Sequence, residues 1–467
     1  MTQAPPMSET VSIDEVLYSG NGLAHTPNRG TVLVPFTLPG EVVEVALPAS
    51  GHQAELLCVL TPSLDRVTPE CPHFGLCGGC HYQMAHYPAQ LELKQSVLKG
   101  VLRNASVNSA PEPQVHAGEP WGYRNRIRLR VGRLGGRQID GEEPNSGLPE
   151  EPAMDGALRL GYNRQGGTEF LAITTCLIAA PVLWSTAKSL LAAAAEDRDV
   201  AYWMNAALEV ELFCDHTMKR VQITLFCWPR TKPIFGSFDR LHIALQAYAP
   251  QNLLITATAA MAFDPRTGPT GRMLAEAGAP GLNYRVLEET YWISRGGFFQ
   301  VNRFLLETLV QLVLNEDDQP RSGELAWDLF AGVGLFSRVL VQTFRRITAV
   351  EANPSAAADL RSALPKREPA ITVHESTTLE FLRRAVVDRD RPELIVLDPP
   401  RAGAGEEACG LLGRIEARTL IYVSCDPTTL ARDLTVLLPQ YRLRALHLVD
   451  LFPQTFHLET VAILELR

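Results

Sequence analysis

Apolar and polar positions change rhythm several times along the 467 residues, and each change marks a different kind of element. From 9 to 66, short β-rich runs (VSIDEVLY, GTVLVPF, EVVEVAL, AELLCVL) alternate with Gly, Pro and Asn punctuation. Several short strands at that spacing predict a small β-barrel of the oligonucleotide-binding type. Residues 84 to 103 carry apolar side chains at helical spacing and predict an amphipathic helix. In the stretch YRNRIRLRVGRLGGR, from 123 to 137, the period of two of a strand puts Arg124, Arg126, Arg128 and Arg130 on one face. Residues 138 to 157 are rich in Pro, Gly and Glu and predict a long mobile loop. From about 158 to 290, strand-like and helical pieces alternate (ALEVELFCD, RVQITLFCW, NLLITATAA), the pattern of a mixed α+β region.

The last third has a different character. ELAWDLFAGVGLF reads as strand, glycine turn and helix, and ITAVE, LIVLDPP and IYVSCDP are apolar runs that each end abruptly. Buried strands alternating with helices predict a Rossmann-like α/β sheet. Ligands bind such a sheet at the carboxyl ends of its strands, which places Asp328, Glu351, Asp398 and Cys425 along one edge. The Gly-x-Gly turn lets the backbone approach a nucleotide-like ligand, but Ser337 stands where a dinucleotide fingerprint has its third glycine. That suits a ligand without phosphates. Glu351, at the end of the second strand, is placed to accept hydrogen bonds from both ribose hydroxyls, and the implied ligand is S-adenosylmethionine. Asp398 also reads as a turn-capping residue, and a free cysteine is more often a small buried hydrophobe than a nucleophile. Near the end, His457 and Glu459 are two apart and point to one face of any strand, and a carboxylate near a cysteine is a ready general base.

Composition narrows the class. The chain is 46% apolar and 20% charged, and no apolar run approaches the roughly 18 residues that span a bilayer. The N-terminal MTQAPPMSETVSIDE has neither the basic nor the apolar segment of a signal peptide, so a cytoplasmic protein with no membrane association is expected. A net charge of −9 argues against indiscriminate nucleic-acid binding but not against a local basic stripe. Six arginines and no acid in 123–137 make the Arg124 to Arg130 face a candidate contact for an RNA backbone; the alternative is a solvated face paired with nearby acids.

Nine cysteines are a poor disulfide framework, but Cys71, Cys77 and Cys80 form a C-x5-C-x2-C cluster among turn-forming glycines. Zinc in a structural site and a four-iron cluster both take four ligands. The best candidate for the fourth is a later cysteine, Cys176, with Cys58, Cys214 and Cys227 left open by spacing; the alternative is three unliganded thiols in a loop.

GGFFQVN (296–302), DLFAGVG, DPPRAGA, YVSCDPTTLARD and HLETV, in this order, resemble the RNA uracil-C5 methyltransferases. The pattern G-N-G-L-A followed by V-P-F-T-L-P-G-E resembles a TRAM domain. Together with the cysteine cluster, these features make the ribosomal RNA 5-methyluridine methyltransferases with a four-iron cluster the nearest subgroup. The resemblance implies Cys425 as nucleophile and Glu459 as the base that removes the C5 proton. It implies Gln300, Phe330, Glu351 and Asp398 at the S-adenosylmethionine site, and Cys71, Cys77, Cys80 and Cys176 around a 4Fe-4S cluster. It implies three parts: a TRAM-like barrel over 1–67, a central iron–sulfur region over 68–290 and a methyltransferase domain over 291–467. Residues 90 to 115 are expected to pack with the last of these. The expected partner is RNA, ribosomal RNA before transfer RNA, with the target uridine flipped from its stack and no obligate protein partner evident.

The rivals are a transfer-RNA enzyme, an inactive iron–sulfur RNA-binding protein, and a nicotinamide oxidoreductase that the missing glycine disfavours. Two departures from the family stand out. Asp426 replaces the usual Asn after the nucleophile, which predicts a raised Cys425 pKa unless Asp426 points away or pairs with a base. The barrel is acidic, with Glu9, Asp14, Glu15, Glu41, Glu44, Glu55 and Asp65 against Arg29 and Arg66.

Overall fold

A computed structural model describes residues 8–26, 30–47, 51–133, 156–266, 268–316, 319–364 and 370–467. Most of the segment expected to be a mobile loop, 138–155, lies outside these residues. Three main sheets organise the chain.

The N-terminal sheet has five antiparallel strands in the spatial order Gly30–Pro35, Asn21–Thr26, Ser8–Val16, Val42–Ala46, Glu55–Thr61. Alternation builds its core: Val11, Ile13, Ala24, Val32, Val34, Val43 and Val45 point inward and bury almost completely. Glu41, one of the acids counted in the barrel, is fully buried and paired with Arg66, whose Nε donates to Oε1 at 2.5 Å. That ion pair, reinforced by the Leu38 and Ser63 amides on the same carboxylate, ties the turn before Val42–Ala46 to the chain that leaves Glu55–Thr61.

The central sheet has seven strands in the order Gly268–Gly278, Leu254–Asp264, Arg220–Cys227, Ala207–Cys214, Arg126–Arg133, Leu158–Asn163, Phe170–Ala172. Helices Pro181–Glu196, Arg198–Ala206 and Ser237–Tyr248 cover one face through Leu183, Leu190, Trp203 and Leu241.

The C-terminal sheet has eight strands, in the order Ile371–Glu375, Phe344–Glu351, Gly323–Leu329, Leu394–Leu397, Thr419–Ser424, Glu459–Leu466, Tyr441–Val449, Gln114–His116. All neighbours are parallel except Glu459–Leu466, which runs antiparallel to both of its partners. Strand order reverses at Gly323–Leu329, and the crevice beside it is where a doubly wound sheet binds ligands. Apolar clusters lie on both faces, one with Leu309, Phe336 and Leu340, the other with Leu382, Leu412 and Leu434. The edge strand Gln114–His116 and the helix Tyr87–Asn104 come from early in the chain. That helix starts at His86, whose ring accepts the Ala89 amide, and packs Leu98 and Leu102 into the second cluster. No helix among the described residues is long and apolar enough to cross a membrane.

Candidate active site

Four parallel strands end at the same edge, and each delivers a polar side chain. Gly323–Leu329 brings Asp328, which is fully buried; one oxygen accepts the Ser337 amide and hydroxyl, and Oδ1 has no partner. Burial pushes its carboxyl up to about 7, against the pull of the Ser337 hydrogen bonds. Phe330 follows with φ 63°, then Gly332 at +55° and Gly334 at +85°. Gly334 at this φ disfavours any side chain, and a Cβ there would also meet Leu360 Cδ1 at 2.3 Å. At the end of Phe344–Glu351, Glu351 accepts the Gly332 amide at 2.8 Å and the Asn353 amide at 2.6 Å. The carboxylate thus pins the glycine turn, and each oxygen keeps a lone pair.

Leu394–Leu397 delivers Asp398, to which Gln300 donates at 3.3 Å. Burial, then the Asp328 charge, pushes Asp398 up to about 7. Gln300 sits on a loop held from the central sheet, where Asn125 donates to its carbonyl at 3.0 Å. The next residue but one, Asn302, caps the turn into the following helix by accepting the Phe304 and Leu305 amides.

Thr419–Ser424 delivers Cys425, half-buried, and the helix Pro427–Leu437 starts two residues later. The antiparallel register pairs Ser424 with Thr460, so Glu459 arrives beside Cys425 from the neighbouring strand. Glu459 is 2% exposed and its Oε1 has no partner. Burial, then the Asp398 charge, drives this carboxyl well above the usual range, and Arg401 pulls the other way. Burial also pushes the Cys425 thiol up to about 11, with the Glu459 and Asp398 charges adding to it and Arg401 opposing.

Two expectations change here. The raised Cys425 thiol has burial and these two carboxylates as its causes, whereas Asp426 is turned to other work. One Asp426 oxygen caps the helix by accepting the Thr428 and Thr429 amides, and the other accepts the Tyr18 hydroxyl at 3.2 Å. His457 does not share a strand face with Glu459, because the strand starts at Glu459; its ring instead lies 3.5 Å from Arg401 and 4.3 Å, centroid to centroid, from Phe456. Arg401, which nothing in the alternation of the sequence singled out, is the cation that faces Cys425, Glu459 and His457.

The arginine stripe is also corrected. Its face carries cross-strand partners and opens to solvent only in part. Arg126 is 9% exposed, donates to Glu211 and to the Gly297 carbonyl, and lies over the Phe213 ring at 4.2 Å. Arg128 donates to Glu211 and lies over Phe226; Arg130 donates to Asn163 and the Thr168 carbonyl. The Arg124 Nε is buried without a partner. Arg126 is therefore closed to a phosphate, while Arg128 is exposed and Arg124 and Arg130 keep part of their surface.

Arg124 lies instead beside the cysteines. Cys71, Cys77, Cys80 and Cys176 line one cavity of about 80 Å³, together with Arg124 and Tyr162. Burial pushes Cys77 up to about 11 and Cys80 to about 12, and each is raised further by a neighbouring cysteine's charge. Cys176 is raised by burial and opposed by the Tyr162 hydroxyl, 3.8 Å away, and by Arg124. Cys58 is exposed on the N-terminal sheet, and Cys214 and Cys227 are buried in the central sheet, away from this cavity. Among the described residues, no three His, Cys, Asp or Glu side chains stand close enough to hold a single ion.

Comparison with known proteins bears on the whole arrangement. Residues 282–467 match the family model described as tRNA (uracil-5-)-methyltransferase. An RNA methyltransferase of Streptomyces coelicolor is 30% identical, over 99% of this chain and 95% of its own. The chain belongs to the RNA (uracil-5-)-methyltransferases. A 23S rRNA (uracil(1939)-C(5))-methyltransferase of Thiobacillus denitrificans is 29% identical over 98% of this chain and 99% of the relative. Among solved structures, the tRNA (uracil-54, C5)-methyltransferase of Pyrococcus abyssi, in complex with S-adenosyl-L-homocysteine, superposes with a TM-score of 0.69 at 20% identity. It covers 97% of this chain and all of the other, a likeness of fold. As a member of the family, the protein is an S-adenosylmethionine-dependent RNA methyltransferase.

Proposed function

We propose that this methyltransferase acts on C5 of a uridine in large-subunit ribosomal RNA, with Cys425 as nucleophile and Glu459 as base. The observation that carries the assignment is the register of the last strand, which sets a buried, partly unpartnered carboxylate beside a half-buried thiol at the cofactor edge. The residues at that edge suit adenosylmethionine: an orphaned Asp328 oxygen, a glycine turn drawn close to Leu360, and Glu351, with Gln300, Phe330 and Asp398 completing the site. When bound, adenosylmethionine supplies the methyl group.

The chain supplies the rest. Uracil C5 is a weak nucleophile, and addition of the Cys425 thiolate at C6 makes it an enolate carbon able to take the methyl group. Arg401 favours the thiolate, offsetting the Glu459 and Asp398 charges. Glu459 then removes the C5 proton, the C6–Sγ bond breaks, and the thiolate is regenerated. A carboxyl held well above its usual range binds that proton firmly. Because the thiol lies at a recessed strand end, the uridine reaches it only when flipped from its stack.

The N-terminal sheet is read as a TRAM-like domain. The four cysteines are read as ligands of a 4Fe-4S cluster: they are soft donors in the right number on one cavity, with Arg124 beside them to offset thiolate charge. The cluster would tie residues 71–80 to residue 176. Arg128 and Arg130 remain the candidates for backbone contact.

The test is denaturing mass spectrometry of the protein with adenosylmethionine and ribosomal RNA carrying 5-fluorouridine. Fluorine cannot leave C5 as a proton does, so the enzyme is trapped as an adduct at Cys425. An adduct formed with transfer RNA and not with ribosomal RNA would move the substrate alone. Absence of any adduct would overturn the mechanism.

A further inference from the structure

The turn between the first two strands of the N-terminal sheet reaches into the active-site wall. Tyr18, half-buried, extends from it, and its hydroxyl lies 3.3 Å from the Cys425 carbonyl and 3.2 Å from Asp426 Oδ2. Its ring meets Phe456 edge-on at 5.7 Å. Two residues later, Gly20 at φ +79° packs so closely that a Cβ there would sit 3.1 Å from Phe456 Cβ. The contact is therefore a fitted one, made by a side chain more than 400 positions away in sequence.

Asp426 holds two jobs at once. Oδ1 caps the helix Pro427–Leu437, which fixes the carboxylate within one residue of the thiol. Oδ2 has the Tyr18 hydroxyl as its partner. Without that bond, a negative oxygen is left free beside a thiol that must ionise to react. Glu459 on the last strand and Asp398 already oppose that ionisation, and the Arg401 charge and a backbone hydrogen bond favour it. Burial and the Asp426 charge hold the phenol well above its usual range, so it stays a hydrogen-bond donor throughout neutral and mildly alkaline pH.

We propose that Tyr18 is a positioning residue of the methyl transfer, its hydroxyl clamping the Cys425–Asp426 turn and tying the Asp426 carboxylate away from the thiol. The proposal rests on Cys425 being the nucleophile. It makes the N-terminal sheet part of the catalytic apparatus as well as an appendage, because the clamp is only as firm as the seating of that sheet.

The experiment measures iodoacetamide alkylation of Cys425, by peptide mapping, against pH in four full-length proteins: wild type, Y18F, D426N and Y18F/D426N. Phenylalanine keeps the ring contact with Phe456 and removes only the hydroxyl. Y18F is expected to move the alkylation profile alkaline by about one pH unit, slowing the reaction about tenfold near pH 8. In the D426N background, the same change is expected to produce no further alkaline shift, since the carboxylate it restrains is gone. In turnover with RNA, Y18F is expected to lower kcat with little change in KM.

A Y18F profile that superimposes on wild type would overturn the proposal, and so would an equal shift in both backgrounds. A rise in KM at unchanged kcat would make Tyr18 an RNA contact instead. The 5-fluorouridine trap separates the two failures. If wild type is trapped at Cys425 while Y18F alkylates normally, only the Tyr18 role falls; if wild type is not trapped, the nucleophile assignment falls with it.

Discussion

Replacing Lys94 by Met tests how the wall that carries Glu459 is held. Lys94 is 1% exposed, on the helix Tyr87–Asn104, and its Nζ lies 2.5 Å from Asp450 Oδ1 and 2.9 Å from the Phe452 carbonyl. The other Asp450 oxygen accepts the Tyr87 hydroxyl at 2.9 Å. The pair therefore anchors residues 450–458, the segment between the last two strands, immediately before Glu459. Met keeps the apolar stem, so little packing is lost, but it leaves Asp450 buried with one neutral partner and takes one donor from the Phe452 carbonyl, which keeps the Thr455 hydroxyl. Breaking a buried ion pair from one side costs about 3–5 kcal/mol. At about 1.4 kcal/mol per factor of ten, local opening becomes roughly a hundred to a few thousand times more frequent.

Hydrogen exchange read by mass spectrometry resolves this locally, which matters in a chain of several sheets where one unfolding transition is not defined. Peptides covering 87–104 and 450–458 are expected to exchange faster by that factor in K94M, while peptides from the central sheet keep their wild-type rates. K94M/D450N, which leaves no uncompensated charge, is expected to be milder than K94M alone. Exchange in K94M within tenfold of wild type would refute the argument, as would a double variant worse than the single.

Three further outcomes are expected. C176S is expected to purify with much less iron and acid-labile sulfide than C58S, measured by elemental and colorimetric analysis; equal iron in the two would exclude Cys176 as a ligand. Because Asp328 and Asp398 are pushed up to about 7, each is partly protonated at neutral pH, and a bound cation lowers both values. Adenosylmethionine binding at pH 7 should therefore release more protons than binding of neutral S-adenosylhomocysteine, a difference seen by calorimetry in buffers of unlike ionisation enthalpy; equal release would refute it. R401Q removes the cation that, among the described residues, favours the Cys425 thiolate, so its pH–rate profile is expected to move alkaline, by about a unit or more; an unmoved profile would show that Arg401 is not the counter-charge.

What could be read in the sequence follows from which physics is local. Apolar runs that stop at Asp328, Glu351, Asp398 and Cys425 mark strand ends directly, and the parallel topology then puts all four on one edge. Glu459 needed more, since its place depends on an antiparallel partner whose register no stretch of sequence displays. The arginines show the same limit from the other side. Period two does put alternate arginines of the strand on one face, but whether that face meets water is decided by Glu211, Phe213 and Phe226 on neighbouring strands. Tyr18 left no local signal, because it acts through contacts made far along the chain, and Arg401, though it stands in DPPRAGA, shows its charge partners only in the fold. Asp426 illustrates the same point: its position puts a charge next to the thiol in sequence, and where that charge is directed is decided by its helix cap and Tyr18.

The edge strand Gln114–His116 completes a sheet whose other strands all lie beyond residue 322, pairing with Tyr441–Val449. On a ribosome this strand, and the helix Tyr87–Asn104 with its apolar side, emerge some 325 residues before the partners they cover. At about 5–20 residues per second, that is a wait of roughly 16 to 65 s. Through that interval Leu98 and Leu102 have no sheet to rest on, which makes the first quarter of the chain a natural client for a chaperone during synthesis. It also means that a gene fragment beginning near residue 282, though it encodes the whole family signature, would yield a sheet with a bare edge at Tyr441–Val449 and an uncovered helix at Pro427–Leu437.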